Sequence, residues 1–234
     1  EVDNLDPNAW QARWLRAGIG SWTRVCTKIR WLESAIDVRI MCEFDYVYED
    51  TLKAKSHWTY TIGETGELAL DITVNVNEDV PPLPRLGLHF TLDPKNIDKF
   101  NWLGLGPFEN YPDRKAAARQ GYYCASLNEL HTPYIFPSDN GLRSACERLE
   151  IGTLRVSGDF SFSASHYSQS MLTLAKHTHE LLKDDYVHVH IDHKHMGVGG
   201  DDSWSPSTHK AYLLEDKCYK YSVSLVASNA AEGK

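Results

Sequence analysis

Alternation with a period of two is the strongest constraint in this sequence. Between Ala35 and Val47, Ile36, Val38, Ile40, Cys42, Phe44 and Tyr46 share one parity, and Asp37, Arg39, Glu43 and Asp45 share the other. Successive side chains of an extended strand point to opposite faces, so this pattern predicts a half-buried β-strand. Trp58, Tyr60 and Ile62 repeat it, and so do Leu68, Leu70, Ile72, Val74 and Val76, with Gly63 to Gly66 reading as the hairpin turn between them. Pro81, Pro82 and Pro84 interrupt the pattern. It resumes at Leu86 to Leu92, Leu154 to Ser163, Tyr186 to Ile191 and Tyr219 to Leu225.

Helical signals are few. Asp6 and Pro7 suit the cap and first turn of a short helix that carries Trp10 and Trp14 on one face and ends at Gly18 and Gly20. Ser168 suits the cap of a second, of roughly ten to fifteen residues, running through Leu182. The stretches 101–114 and 132–141 read as proline-pinned connections. Strands without a βαβ rhythm imply antiparallel sheets packed face to face. The expectation is an all-β chain, one domain over residues 1–234, with the prolines at 81, 82 and 84 as the best candidate boundary.

The net charge is −8 and the basic residues are scattered, so no stripe is offered to nucleic acid. No apolar run approaches the roughly 20 residues of a membrane span, and the acidic, polar opening is unlike a signal peptide. The five cysteines are widely spaced and form no C-x-x-C pair. They predict reduced thiols in a reducing compartment, hence a cytoplasmic protein, with a periplasmic location left open.

The densest loop signal is His195-Met-Gly-Val-Gly-Gly-Asp-Asp-Ser-Trp-Ser-Pro206. Gly197, Gly199 and Gly200 suggest a sharp bend. Asp202 and Ser203 can fold their side chains onto nearby amides, and Pro206 fixes the exit. A tryptophan in such a frame either plugs a core or stands as an oriented plate. Beside carboxylates and hydroxyls, a plate of that kind suits the apolar face of a sugar.

Other constellations are weaker. His188 and His190 share a strand face with Asp192, which is metal-ligand geometry or a solvated face. They belong to a longer series with His177, His179, His193 and His195. Gly104-x-Gly106 lacks the third glycine of a dinucleotide loop, and Pro107 follows it. No serine sits in a G-x-S-x-G elbow. Asp201 and Asp202 are a poor pair for glycoside hydrolysis because sequence neighbours diverge in direction. Glu109 reads as a brace for its own loop.

The chain resembles the β-galactosidase small chain, the C-terminal domain of large bacterial β-galactosidases of glycoside hydrolase family 2. The resemblance rests on Asp6-Pro-Asn-Ala-Trp10 with Arg13-Trp14, Asn101-Trp-Leu-Gly-Leu-Gly-Pro107, Glu109-Asn-Tyr-Pro-Asp-Arg114, Thr132-Pro-Tyr134 and Phe136-Pro-Ser138. Asn140-Gly-Leu-Arg143, Gly158-Asp-Phe160, Tyr167-Ser-Gln169, His195-Met-Gly197 and Gly199-Gly-Asp-Asp-Ser-Trp-Ser-Pro206 complete it. It implies a large antiparallel β-supersandwich of the galactose-mutarotase-like kind with a few short helices. It also implies a galactoside pocket in which Trp204 forms a wall, framed by His195, Gly199, Gly200, Asp201, Asp202, Ser203 and Pro206. The acid/base and nucleophile carboxyls would come from a catalytic TIM barrel that is absent here, as would the Mg and Na ions such enzymes commonly use; no cofactor is expected in this chain.

On this reading the chain is a fragment or separate subunit of a homo-oligomeric parent, and is inactive alone. Two alternatives stand beside it. One is an independent aldose epimerase, with His195 and Glu109 or Asp192 as its acid and base. The other is a free-standing carbohydrate-binding module.

Overall fold

A computed structural model of the chain describes residues 7–95, 97, 99–202, 205 and 207–227. Its contacts group into two compact units, Glu1–Pro84 with Met196–Val226, and Arg85–His195 with Ala227–Lys234. The division falls at Pro84, where the three prolines break the alternation. The first unit is discontinuous: the chain leaves it at Pro84 and returns at Met196.

The first unit contains α1 (Trp10–Arg16), β1 (Thr23–Glu33), β2 (Asp37–Tyr48), β3 (Thr51–Gly63) and β4 (Leu68–Val76). The second contributes β5 (Arg85–Leu92), β6 (Phe100–Gly106), β7 (Arg119–Ala125), α2 (Leu127–Leu130), β8 (Arg143–Ile151), β9 (Leu154–Ser165), α3 (Gln169–Leu174) and β10 (Val187–His195). The chain then re-enters the first unit for β11 (Cys218–Ala227).

In the first unit the strands run β1-β2-β3-β4-β11, antiparallel throughout. Register places Trp31, Ile40, Tyr60, Leu70 and Val223 in one row across all five strands. The opposite face carries the ion pairs Lys28–Glu43 and Lys55–Asp45. The alternation therefore becomes an apolar and a polar side of one sheet. Cover on the apolar side fades toward β1: Leu70 is 5% exposed and Trp31 71%. β1 is a strand that the sequence reading missed. A bulge between Cys26 and Lys28 shifts its parity, and Arg24, Lys28 and Arg30 interrupt the apolar signal.

Trp10 and Trp14 stack 6.2 Å apart on α1, whose N-cap is Ala9 with no side-chain cap bond. Asp6, the expected cap, lies outside the described residues.

In the second unit the strands run β7-β6-β8-β9-β10-β5, also antiparallel. Phe100, Trp102, Leu149, Val156, Phe162 and Val189 are almost completely buried in this unit. Two expectations fail here. Residues 100–106 form a strand rather than a turn-rich connection, because glycines occupy two of its inward positions; a Cβ on Gly104 would meet Cys146 Sγ at 2.5 Å. The Ser168-capped helix is real but ends at Leu174 after 6 residues. Its last residue, Leu174, is exposed, and so is Leu182 in the expected continuation, so no apolar face rewards a longer helix there.

Candidate functional site

The polar groups of the second unit converge at the end of β10. A bulge between Asp192 and Lys194 sets this up. Asp192 opposes Gly87, but after the extra residue His195 opposes Arg85, two positions further along β5. The bulge thus turns His195 onto the face that carries His190 and Asp192, which strict alternation would have forbidden. Gly87 makes the approach possible, since a Cβ there would lie 2.5 Å from Asp192 Cα and 2.3 Å from the Ile191 carbonyl oxygen.

Arg85 is the hub. Its Nε donates to Asp192 Oδ1 at 3.2 Å, its Nη2 pairs with the other Asp192 oxygen, and its Nη1 lies 3.5 Å from Asp139 Oδ2. Asp139 in turn receives His195 Nε2 at 3.1 Å and Gln169 Nε2 at 2.8 Å. Burial pushes the Asp139 carboxyl up, but the His195 hydrogen bond and the Arg85 charge outweigh it and hold the group well below the usual carboxylate range. Burial drives the neighbouring His190 down, the Arg85 charge adds to it, and the imidazole is held to about 3. Tyr111 packs edge-on against the His195 ring, 5.3 Å between centroids.

A second knot braces the 132–141 loop. Glu109 Oε2 accepts from the Gly141 amide at 2.7 Å, while Oε1 pairs with Arg114 and with the Tyr134 hydroxyl. This is the bracing role expected for Glu109. The buried Arg143 guanidinium donates to the Leu130 and Gly141 carbonyls at 2.9 and 2.8 Å. Asn110 reaches back to Ser144, whose amide donates to Asn110 Oδ1 at 3.1 Å.

The loop after His195 belongs to the first unit. It starts with the Met196 amide on the Pro84 carbonyl and the Gly197 amide on the Tyr212 carbonyl, both at 2.9 Å. Thr208 Oγ1 donates to the Gly199 carbonyl at 2.9 Å, and His209 Nε2 lies 2.8 Å from Asp201 Oδ1. Asp202 folds back: its Oδ1 accepts the Ser205 amide at 2.7 Å and the Ser205 hydroxyl at 2.9 Å. Gly197, Gly199 and Gly200 are not among the glycines with positive φ. The bend is made by side-chain bonds, and Gly200 serves closeness instead, since a Cβ there would sit 2.2 Å from Ser207 Oγ. Ser203, Trp204 and Pro206 lie outside the described residues.

The acid–base pairing that an epimerase would need, His195 with Glu109 or Asp192, is not the pairing found. His195 Nε2 faces Asp139, Asp192 is held by Arg85, and Glu109 is held by Arg114, Tyr134 and Gly141. The strand histidines His188 and His190 do not converge on an ion either. His188 Nδ1 lies 3.2 Å from His89 Nε2, and its Nε2 lies 3.0 Å from Asp184. His190 stacks on His89, 4.5 Å between centroids. The Asp139–Arg85 link was not legible in sequence, because Arg85 lies on β5, 54 residues before Asp139, with no local pattern joining them.

Fold and site together define an antiparallel β-protein whose ionisable groups are tied into a scaffold beneath one braced loop. Residues 1–225 match the family model described as "Beta galactosidase small chain". The chain belongs to that family. It is 63% identical over 96% of its length to a β-galactosidase of Pseudoalteromonas haloplanktis, and 54% identical over 97% of its length to one of Alteromonas mediterranea. A β-galactosidase of Photobacterium profundum matches at 49% over 96% of the chain. In all three the chain spans only 22% of the relative's own length. A GalM/aldose epimerase homologue from C. elegans superposes with a TM-score of 0.38 at 13% identity, over 86% of this chain and 69% of that one.

Proposed function

We propose that this chain is the accessory β-domain of a β-galactosidase that hydrolyses terminal β-D-galactosides such as lactose, and that the 195–206 loop presents Trp204 as one wall of the sugar pocket. The acid/base and nucleophile carboxyls, together with the enzyme's Mg and Na ions, belong on this reading to a catalytic TIM barrel. That barrel lies elsewhere on a longer polypeptide or on a large subunit of a homo-oligomeric, cytoplasmic enzyme. The observation that carries the proposal is the match across residues 1–225 to proteins named β-galactosidase, of which the chain spans 22%. The loop geometry supports the finer part. Asp202, Ser205, Ser207 and His209 tie the segment that contains Trp204 to itself, which suits an aromatic plate that must be held at a fixed angle.

The test uses the full-length enzyme. Trp204→Ala should raise KM for an aryl β-galactoside by an amount equivalent to roughly 1–3 kcal/mol, the scale of losing an aromatic contact. Unchanged KM and kcat would remove Trp204 from the pocket. Turnover of the same substrate by the pure 234-residue chain at enzyme-like rates would remove the accessory role.

A further inference from the structure

We infer that the turn between α3 and β10 is a binding site for a borderline divalent cation, of the zinc, nickel and copper class, held by His177, His179 and Glu180. The ligand atoms of these three side chains all lie within 4.8 Å of one another. A single 3-10 turn, Thr178–Glu180, brings them together. Residues three apart eclipse on such a turn, so His177 stands over Glu180, and the His179 ring stacks on His177 at 5.4 Å and 21°.

Glu180 is already aimed. Its Oε2 accepts the Lys176 amide at 2.9 Å, which leaves Oε1 against His177 Nδ1, also at 2.9 Å. An entering cation takes the place of the proton in that last bond, and the neutral His177 ring carries its one proton on Nε2 instead, with no change of oxidation state. All three residues are exposed, so an ion reaches them without crossing protein. Two imidazoles and one carboxylate are the donor set of zinc, nickel and copper, whereas magnesium and calcium prefer shells built of oxygen. Three protein ligands leave the remaining coordination to water.

The site is independent of the accessory-domain reading. It lies within the second unit, and its test needs no enzymatic activity. The whole chain is titrated calorimetrically with zinc chloride and, separately, with magnesium chloride. The expected result is one saturable zinc site and no magnesium heat in the same concentration range. His177→Gln and His179→Gln should each weaken zinc by at least the roughly tenfold typical of disturbing even an outer-sphere partner. His209→Gln, a histidine–carboxylate pair on the loop of the other unit, should leave the affinity unchanged. Both positions are exposed, so metal-free melting temperatures of the variants should match the parent and exclude misfolding as the cause. Copper-loaded protein should show nitrogen hyperfine coupling that is lost in the double variant. Absence of saturable zinc binding, a site that survives both substitutions, or one that disappears with His209→Gln would overturn the assignment.

Discussion

Asp139 Oδ2 receives His195 Nε2 at 3.1 Å, while Asp139 Oδ1 receives Gln169 at 2.8 Å. One carboxylate therefore ties the end of β10 to the start of α3, and its 3.5 Å approach to Arg85 adds β5. Asp139→Asn keeps the shape and removes the charge. It should cost roughly 1.5–3 kcal/mol of unfolding free energy, the range for hydrogen bonds to an ionised group. Urea denaturation at neutral pH checks this, and a change below a few tenths of a kcal/mol would show the link to be ornamental.

His190 gives the unfolding equilibrium an acid dependence. Burial and the Arg85 charge hold its imidazole to about 3 in the folded chain, whereas an unfolded histidine protonates near 6.5. Between those values the unfolded chain binds the extra proton, so this contribution is complete above about pH 6.5 and is lost as pH falls. Comparing urea unfolding at pH 7.5 and 5.5, the parent should lose about 1 kcal/mol more than His190→Gln. Equal losses in the two proteins would count against a neutral, buried imidazole. Asp139 acts in a lower window. Its folded carboxyl is held below the unfolded value, so its contribution stands above about pH 4 and disappears in stronger acid.

The cysteines divide by environment. Cys26, Cys124 and Cys218 are exposed, and Cys42 and Cys146 are buried. Burial pushes the Cys146 thiol up to about 12 and also raises Cys42. Only a thiolate attacks a disulfide reagent. Native protein should therefore expose three fast-reacting thiols to Ellman's reagent, and the denatured chain five. A fourth fast thiol in the native state would show that β2 or β8 opens readily.

The loop frame can be probed apart from the tryptophan. Asp202→Ala in the full-length enzyme removes the acceptor for the Ser205 amide and hydroxyl. If the frame aims Trp204, kcat/KM should fall roughly tenfold or more, because small misplacements at a reacting centre are costly. A normal kcat/KM for Asp202→Ala beside a damaged Trp204→Ala would assign the aim to other contacts.

The strands with clean alternation were legible in sequence: β2, β3, β4, β5, β9, β10 and β11 fall where the pattern puts them. β1, β6, β7 and β8 were not, and three of them show why. β1 carries a bulge and charges, β6 has glycines where the core leaves no room for a side chain, and β8 is bulged near Cys146. The family resemblance was legible because it depends on short runs of identical residues, which need no geometry. The polar cluster was not. His195 joins Asp192 only through a bulge at one strand position, and Arg85 and Gln169 reach Asp139 from distant segments. Even in the loop, the glycines signalled a bend while the carboxylate of Asp202 makes it.

β1 has a handling consequence. It is the outermost strand of its sheet and is exposed along its whole length, so its free backbone rim offers a template to any other extended chain. Arg30 punctuates β1 with positive charge, while Lys28 is already paired with Glu43. Replacing Arg30 with threonine should therefore favour edge-to-edge association of the chain on concentration, even with Trp31 untouched.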